Sequence, residues 1–313
     1  MTSSSEWQVI DRFFNHLGAG RTDVLLGIGD DAALLRPPPG MELVQTTDSL
    51  IEQVHFLPGA PPRSLGHRAL AVNLSDLAAM GATPAWALLS LTLPSVDESW
   101  LAEFAAGFGR LARIHEVALV GGNLSRGPLN LTVQLTGLVP AGTALRRSGA
   151  RAGDEVWVSG TLGDAAMGRL PDASAALRKR FEYPTPRVAL GVALRAIASS
   201  CIDLSDGLLA DLPRLAQASG CGVILDVDKL PLSPALQARA AGLSWQRALL
   251  GGEDYELCFT VPPENAARLS GVAELLEVAL CCCGRLRAAT GLELRCAGGV
   301  IQFSQSPFDH FKS

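Results

Sequence analysis

Residues 64–93, SLGHRALAVNLSDLAAMGATPAWALLSLTL, run a helix pattern directly into a strand pattern. Leu65, Leu70, Leu74, Leu77 and Ala78 recur at helical spacing over 64–80, and Gly81 and Pro84 close the segment. The apolar run 86–93 that follows reads as a strand. Asn73 and Asp76 are three residues apart and share one helix face. Asp76 interrupts a strongly apolar helix, and a carboxylate there must be paired, bound to a metal or exposed.

The same alternation extends on both sides. Residues 24–27 and 43–47 read as strands, each ending on an acidic cluster. Asp97 is placed to cap a helix that carries Leu101, Phe104, Phe108 and Leu111 on one stripe. Leu129, Leu131, Val133 and Leu135 then alternate with Asn130, Thr132, Gln134 and Thr136, which predicts a strand with one buried and one polar face. Residues 140–153, rich in glycine, alanine and arginine, read as a connection between two domains. Beyond it, strands are expected at 155–159, 202–203 and 255–261, the last half-buried, with helices at 186–199 and 208–219. Segments 292–296 and 300–303 flank Gly298-Gly299 as a hairpin. Strands mixed with crossover helices indicate α/β or α+β layers in two domains.

At 313 residues and 48% hydrophobic content, the chain can bury a substantial core. A formal charge of −5 with scattered basic residues argues against a nucleic-acid surface. The longest apolar stretch, 85–93, is about half the length a bilayer requires. The first residues lack a basic start and an apolar core, so no signal peptide and a cytoplasmic location are expected. The seven cysteines show no C-x-x-C spacing, and Cys281, Cys282 and Cys283 would alternate across a strand; buried reduced thiols are expected.

The chemistry concentrates in aspartates beside glycines and hydroxyls: Gly29-Asp30-Asp31, Thr46-Thr47-Asp48, Ser75-Asp76, Asp203-Leu204-Ser205-Asp206 and Gly251-Gly252-Glu253-Asp254. Any one of them could be a turn or a cap. Together they form the kind of oxygen-rich set that holds Mg²⁺ against phosphates. No Gly-x-x-x-x-Gly-Lys-Ser/Thr loop occurs, so phosphates must be held by another device; Gly121-Gly122-Asn123, placed after a strand expected over 117–120, and 160–163 permit close backbone approach. Of the five histidines, His16, His67, His115 and His310 give no nucleophilic pair, and only His55 follows an acidic segment closely.

At these motifs the chain resembles the thiamine-monophosphate kinase family. The resemblance rests on Gly27-Ile28-Gly29-Asp30-Asp31-Ala32-Ala33, Thr46-Thr47-Asp48-Ser49, His55-Phe56 and 71–81 (AVNLSDLAAMG). It continues through Ile202-Asp203-Leu204-Ser205-Asp206-Gly207, Gly251-Gly252-Glu253-Asp254-Tyr255-Glu256-Leu257 and the closing Phe308-Asp309-His310-Phe311. It implies an aminoimidazole-ribonucleotide synthetase-like fold: an N-terminal α/β domain over 1–142 that dimerises through its sheet, and a C-terminal α+β domain over 143–313, with the active site in the cleft between them. The implied reaction is phosphorylation of thiamine monophosphate by ATP with several Mg²⁺ ions. The resemblance implies metal positions at Asp31, Thr46, Thr47, Asp48, Asp76, Asn123, Asp203 and Asp206, of which Asp48, Asp76 and Asp206 would act catalytically. It implies nucleotide contacts at Gly122, Asn123, Arg147 and Ser205, and thiamine-substrate contacts at His55, Glu253 and Phe308. Asn123 stands where the family often has aspartate, which predicts weaker hold on one metal. The readings to set beside it are another ATP-dependent enzyme of the same superfamily and an ATP- and metal-binding protein with little turnover; selenophosphate synthesis would favour an N-terminal cysteine, and the first here is Cys201.

Overall fold

The computed structural model describes residues 5–239 and 244–303. The chain divides into two compact units, Met1–Leu77 with Ala82–Gly142, and Ala78–Gly81 with Thr143–Ser313. No helix among the described residues is long and apolar enough to cross a membrane.

The first unit contains α1 (Glu6–Phe13), β1 (Val24–Leu26), β2 (Leu34–Leu35), β3 (Met41–Ile51), α2 (Pro62–Ala79), β4 (Thr83–Leu93), α3 (Glu98–Ile114), β5 (Ala118–Arg126) and β6 (Asn130–Pro140). Its main sheet has the order β3-β6-β4-β5. β6 pairs antiparallel with β3 and β4, while β4 and β5 are parallel. A parallel neighbour needs a crossover, and α3 supplies it. Asp97 caps α3 as expected, accepting the N–H groups of Ser99 and Trp100. α2 and α3 pack so closely at Gly66 and Gly107 that a Cβ on either would collide with the other helix's backbone. The predicted alternation of β6 holds as far as Leu135: Leu131, Val133 and Leu135 are fully buried, and Asn130, Thr132 and Gln134 are partly exposed. Thr136, expected on the polar face, is instead buried, and its hydroxyl accepts the Gln134 amide.

The second unit contains β7 (Glu155–Ser159), α4 (Asp164–Gly168), α5 (Ala175–Glu182), α6 (Val188–Leu194), β8 (Ser200–Asp203), α7 (Leu208–Ala218), β9 (Gly222–Asp226), α8 (Pro234–Arg239), α9 (Ser244–Leu250), β10 (Leu257–Val261), α10 (Leu269–Leu276), β11 (Leu280–Arg287), β12 (Leu292–Cys296) and β13 (Gly299–Ile301). Its seven-stranded mixed sheet runs β13-β12-β9-β11-β7-β10-β8. Val156, Val158, Ile202, Leu212, Leu225 and Cys283 contribute to one continuous core.

Four further expectations change. β3 does not stop at Thr47; it pairs with β6 over its whole length and carries Thr46-Thr47-Asp48 mid-strand, where β-branched threonines are favoured. β5 likewise runs through Gly121-Gly122-Asn123 to Arg126, because that stretch pairs with β4 up to Leu93. β10 starts at Leu257 and is buried on both faces rather than one. Its period of two is real, but its polar members, such as Thr260, are satisfied inside: Thr260 bonds the hydroxyls of Ser199 and Ser200. The helix expected over 186–199 is confined to α6, preceded by α5.

Candidate active site

In the first unit, strand alternation separates neighbours in sequence. The Thr46 hydroxyl donates to Asp76 Oδ2 on α2 at 2.5 Å, so Thr46 faces that helix. Asp48, two residues on, shares the face. Thr47 lies on the other side, its hydroxyl donating to the Val133 carbonyl at 3.2 Å. One turn before Asp76, Asn73 is fully buried; its Nδ2 donates to the Ala69 carbonyl, while its Oδ1 has no hydrogen-bond partner.

Register places the remaining residues of this unit elsewhere. Asp48, Val133, Leu89 and Gly122 form one row across the sheet, and Ser49, Thr132, Ser90 and Asn123 form the next. Three strand spacings therefore part Asp48 from Gly122, roughly 14 Å. Asn123 and Asp48 stand at opposite edges of the sheet, so one chain does not bring both onto a single ion. Instead Asn123, Gly122 and Asp31 line a cavity of about 800 Å³ with Ser90, Thr132 and Gln134. Gly122 is required there, since a Cβ would run into the Leu89 carbonyl of the paired strand. Asp30, which had no assigned role, accepts the Asp31 N–H at 2.8 Å and shapes the loop.

His55 sits on the turn after β3. Its Nδ1 accepts the Ile51 N–H at 3.0 Å, which leaves the proton of the neutral ring on Nε2. Arg68, buried on α2, donates to the His55 carbonyl at 3.3 Å. His115, which ends α3, is held below the usual histidine range by burial and by the nearby His67.

The second unit brings Asp203, Ser205, Asp206 and Glu253 onto two adjoining backbone segments. Asp203 ends β8 opposite Leu257, the Ser205 carbonyl accepts the Glu253 N–H at 2.8 Å, and the Leu204 carbonyl accepts that of Tyr255 at 3.0 Å. Two residues that sequence reasoning missed organise Asp206. Arg214 donates to Asp206 Oδ2 and Asp211 Oδ1, each at 2.7 Å, and Asp211 Oδ2 accepts the Asp206 N–H at 3.0 Å. The spacing of Asp211 and Arg214 on a helix pattern was the available signal. Burial pushes Asp211 up to about 6, against the pull of the Asp206 N–H and of the charges on Arg214 and Arg147. Arg147 thus contributes positive potential to the Asp211–Asp206 neighbourhood. Phe308 lies outside the described residues.

Among the described residues, no three histidine, cysteine or acidic side chains gather into a ready-made cation cage. The donors at the acidic clusters are carboxylate, hydroxyl and amide oxygens. That chemistry fits Mg²⁺, which takes one or two protein carboxylates and completes its shell with phosphate oxygens and water. The cysteines do not compete: all seven are free, and burial raises the thiols of Cys201, Cys258 and Cys283 well above their ordinary value.

Comparison with known proteins defines the class first. Residues 29–139 match the family described as AIR synthase related protein, N-terminal domain, and residues 151–297 match its C-terminal domain counterpart. Within that class the relatives are consistent. Thiamine-monophosphate kinases of Salmonella typhimurium and Escherichia coli K12 are each 46% identical, with 98% of both chains covered. The crystal structure of the Stenotrophomonas maltophilia thiamine-monophosphate kinase has a TM-score of 0.86 at 44% identity, covering 96% of this chain and 99% of that one. A structure described as AaThiL complexed with AMPPCP and TMP has a TM-score of 0.78 at 34% identity, covering 91% and 92%. The chain belongs to the thiamine-monophosphate kinase family, and its two-domain mixed α/β architecture is the one that family shares.

Proposed function

We propose that this protein transfers the γ-phosphoryl group of ATP to thiamine monophosphate, forming thiamine diphosphate and ADP. The carrying observation is near-complete coverage at 46% identity by relatives named for that activity; a structural relative holding an ATP analogue together with TMP supports it. The chemistry agrees with the residues at hand. A phosphate monoester is already anionic at neutral pH, so attack needs little general-base help, and no nucleophile–histidine pair is called for. The difficulty is bringing two polyanions into line.

Mg²⁺, when bound, offsets that repulsion. Several ions are proposed, held by separate sets: Thr46, Asp48 and Asp76 on one face of the first sheet, Thr47 on the other, Asp31 and Asn123 at the cavity, and Asp203 and Asp206 in the second unit. Catalytic parts are proposed for Asp48, Asp76 and Asp206. Thr46 orients the Asp76 carboxylate by its hydroxyl bond. Gly122 and Asn123, on the cavity wall with Asp31, are proposed to meet the nucleotide, together with Ser205 and the fixed charge of Arg147. His55 offers its Nε2–H to the acceptor phosphate. Glu253 offers a carboxylate to the positively charged thiazolium, and Phe308 an aromatic face.

The protein is further proposed to act as a cytoplasmic homodimer. The first unit exposes the large apolar side chains of Trp7, Leu25, Leu34, Met41, Leu43 and Leu88, the kind of surface a second copy would cover. Incubation with ATP, Mg²⁺ and thiamine monophosphate, followed by chromatography, tests the activity. Thiamine diphosphate is expected from thiamine monophosphate and not from free thiamine; product from free thiamine alone would overturn the acceptor assignment.

A further inference from the structure

The segment 251–257 contains two kinds of residue. Glu253 and Tyr255 both have left-handed backbones, with φ of 71° and 50°, a conformation costly for residues other than glycine. Between and after them, Asp254 and Glu256 are buried at 2% and 0% exposure. Neither buried acid has a part in the chemistry described above.

Both acids point into the turn that follows β7. Asp254 accepts the N–H of Gly163 through Oδ2 at 2.6 Å and that of Ala165 through Oδ1 at 3.2 Å. Glu256 takes a two-point bond from Arg187 at 2.6 and 2.7 Å, a third from Arg180 at 2.9 Å, and the Ser159 hydroxyl at 2.6 Å. Ser159 in turn accepts the Leu257 N–H at 2.9 Å. Gly160 is needed beside this cluster, because a Cβ there would overlap the Glu256 carboxylate. On its other side the segment is stitched to 204–205: Glu253 N–H to the Ser205 carbonyl, Tyr255 N–H to that of Leu204, and Leu204 N–H to that of Glu256. A left-handed backbone at Glu253 survives because both flanks are held.

We infer that Asp254 and Glu256 are positioning residues for the reaction, a buried clamp that holds the strained backbone at Glu253 so that its side chain is presented to the substrate. The inference rests on the proposed contact of Glu253 with the thiamine moiety. Asp254 is the better handle, because an amide in its place must turn an NH₂ towards one of the two N–H donors and lose that bond without a change of size.

The test is a double-mutant cycle of D254N and E253Q at pH 8 or above, where the Asp254 carboxyl is ionised, read as KM for thiamine monophosphate and KM for ATP, with the thermal midpoint recorded for each variant. D254N alone is expected to raise KM for thiamine monophosphate on the order of tenfold, with KM for ATP nearly unchanged. In the E253Q background the D254N effect should vanish, which a general loss of stability would not produce. Additive effects, or a lowered midpoint with both KM values unchanged, would overturn the inference. An unchanged KM for thiamine monophosphate in E253Q alone would instead remove the Glu253 contact, and the clamp's proposed purpose with it. Should D254N fail to fold, S159A loosens the same clamp through Glu256 and Leu257 more gently; it should shift the same KM in the same direction, and an unchanged KM would overturn the inference.

Discussion

At the scale of single residues, the acidic clusters were legible and their neighbours were not. Asp76 could be picked out because a carboxylate in an apolar helix needs a partner, and Thr46 is a partner it has. The order Thr46-Thr47-Asp48 gave no hint that the middle residue turns away, since that depends on the strand running through the cluster rather than ending on it. Asn123 was singled out as a departure, and its cavity with Asp31 supplies a physical setting for the departure. Replacing its neutral amide by a carboxylate adds a charge to the same oxygen position. N123D is therefore expected to lower the Mg²⁺ concentration for half-maximal rate about fivefold, an effect on the order of 1 kcal/mol. An unchanged Mg²⁺ titration would count against a ligand role for this position.

At the scale of elements, period and burial diverged. The alternation through the first half of β6 gave the correct one-sided burial, whereas β6 from Leu135 to Val139 and the whole of β10 are buried on both faces. A polar residue reads as solvent-facing until its internal partners are known, and the partners of Glu256 come from β7, α5 and the residue just before α6, distant in sequence. Glu256 is held ionised in spite of burial: burial pushes its carboxyl up, and Arg187 and Arg180 more than reverse this. Asp254, with no such ion pair, is pushed up by burial to about 7, against the pull of the Gly163 and Ala165 N–H groups. An unfolded aspartate titrates near 4. Between roughly pH 4 and 7 the folded chain therefore keeps a proton that the unfolded chain has released, and this contribution to stability declines as pH rises through that window. The thermal midpoint of the native protein minus that of D254N should accordingly fall from pH 4 to pH 8. Parallel midpoint curves would contradict the assignment.

At the scale of the whole molecule, the mixture of α/β and α+β character was accessible from periodicity alone. Strand order was not, because it depends on long-range pairing. The order β3-β6-β4-β5 matters most, for it sets Asp48 and Asn123 on opposite edges, and the edge strand β3 carries an exposed apolar face at Met41 and Leu43. If a second copy covers that face, a charge placed on it must be costly. L43E, at a side chain 51% exposed, should convert a dimer to a monomer by light scattering coupled to size exclusion. A monomeric native protein, or a dimer unaffected by the substitution, would contradict the proposed interface.

Each unit carries oxygen donors suited to phosphates, and these donors are proposed to serve transfer between two phosphates rather than hydrolysis. ATP labelled in its γ-phosphate, incubated with the protein, Mg²⁺ and thiamine monophosphate, tests this directly. The label should appear in thiamine diphosphate in equal amount to the ADP formed. Label released as inorganic phosphate, or retained in ATP while thiamine monophosphate is unchanged, would contradict it.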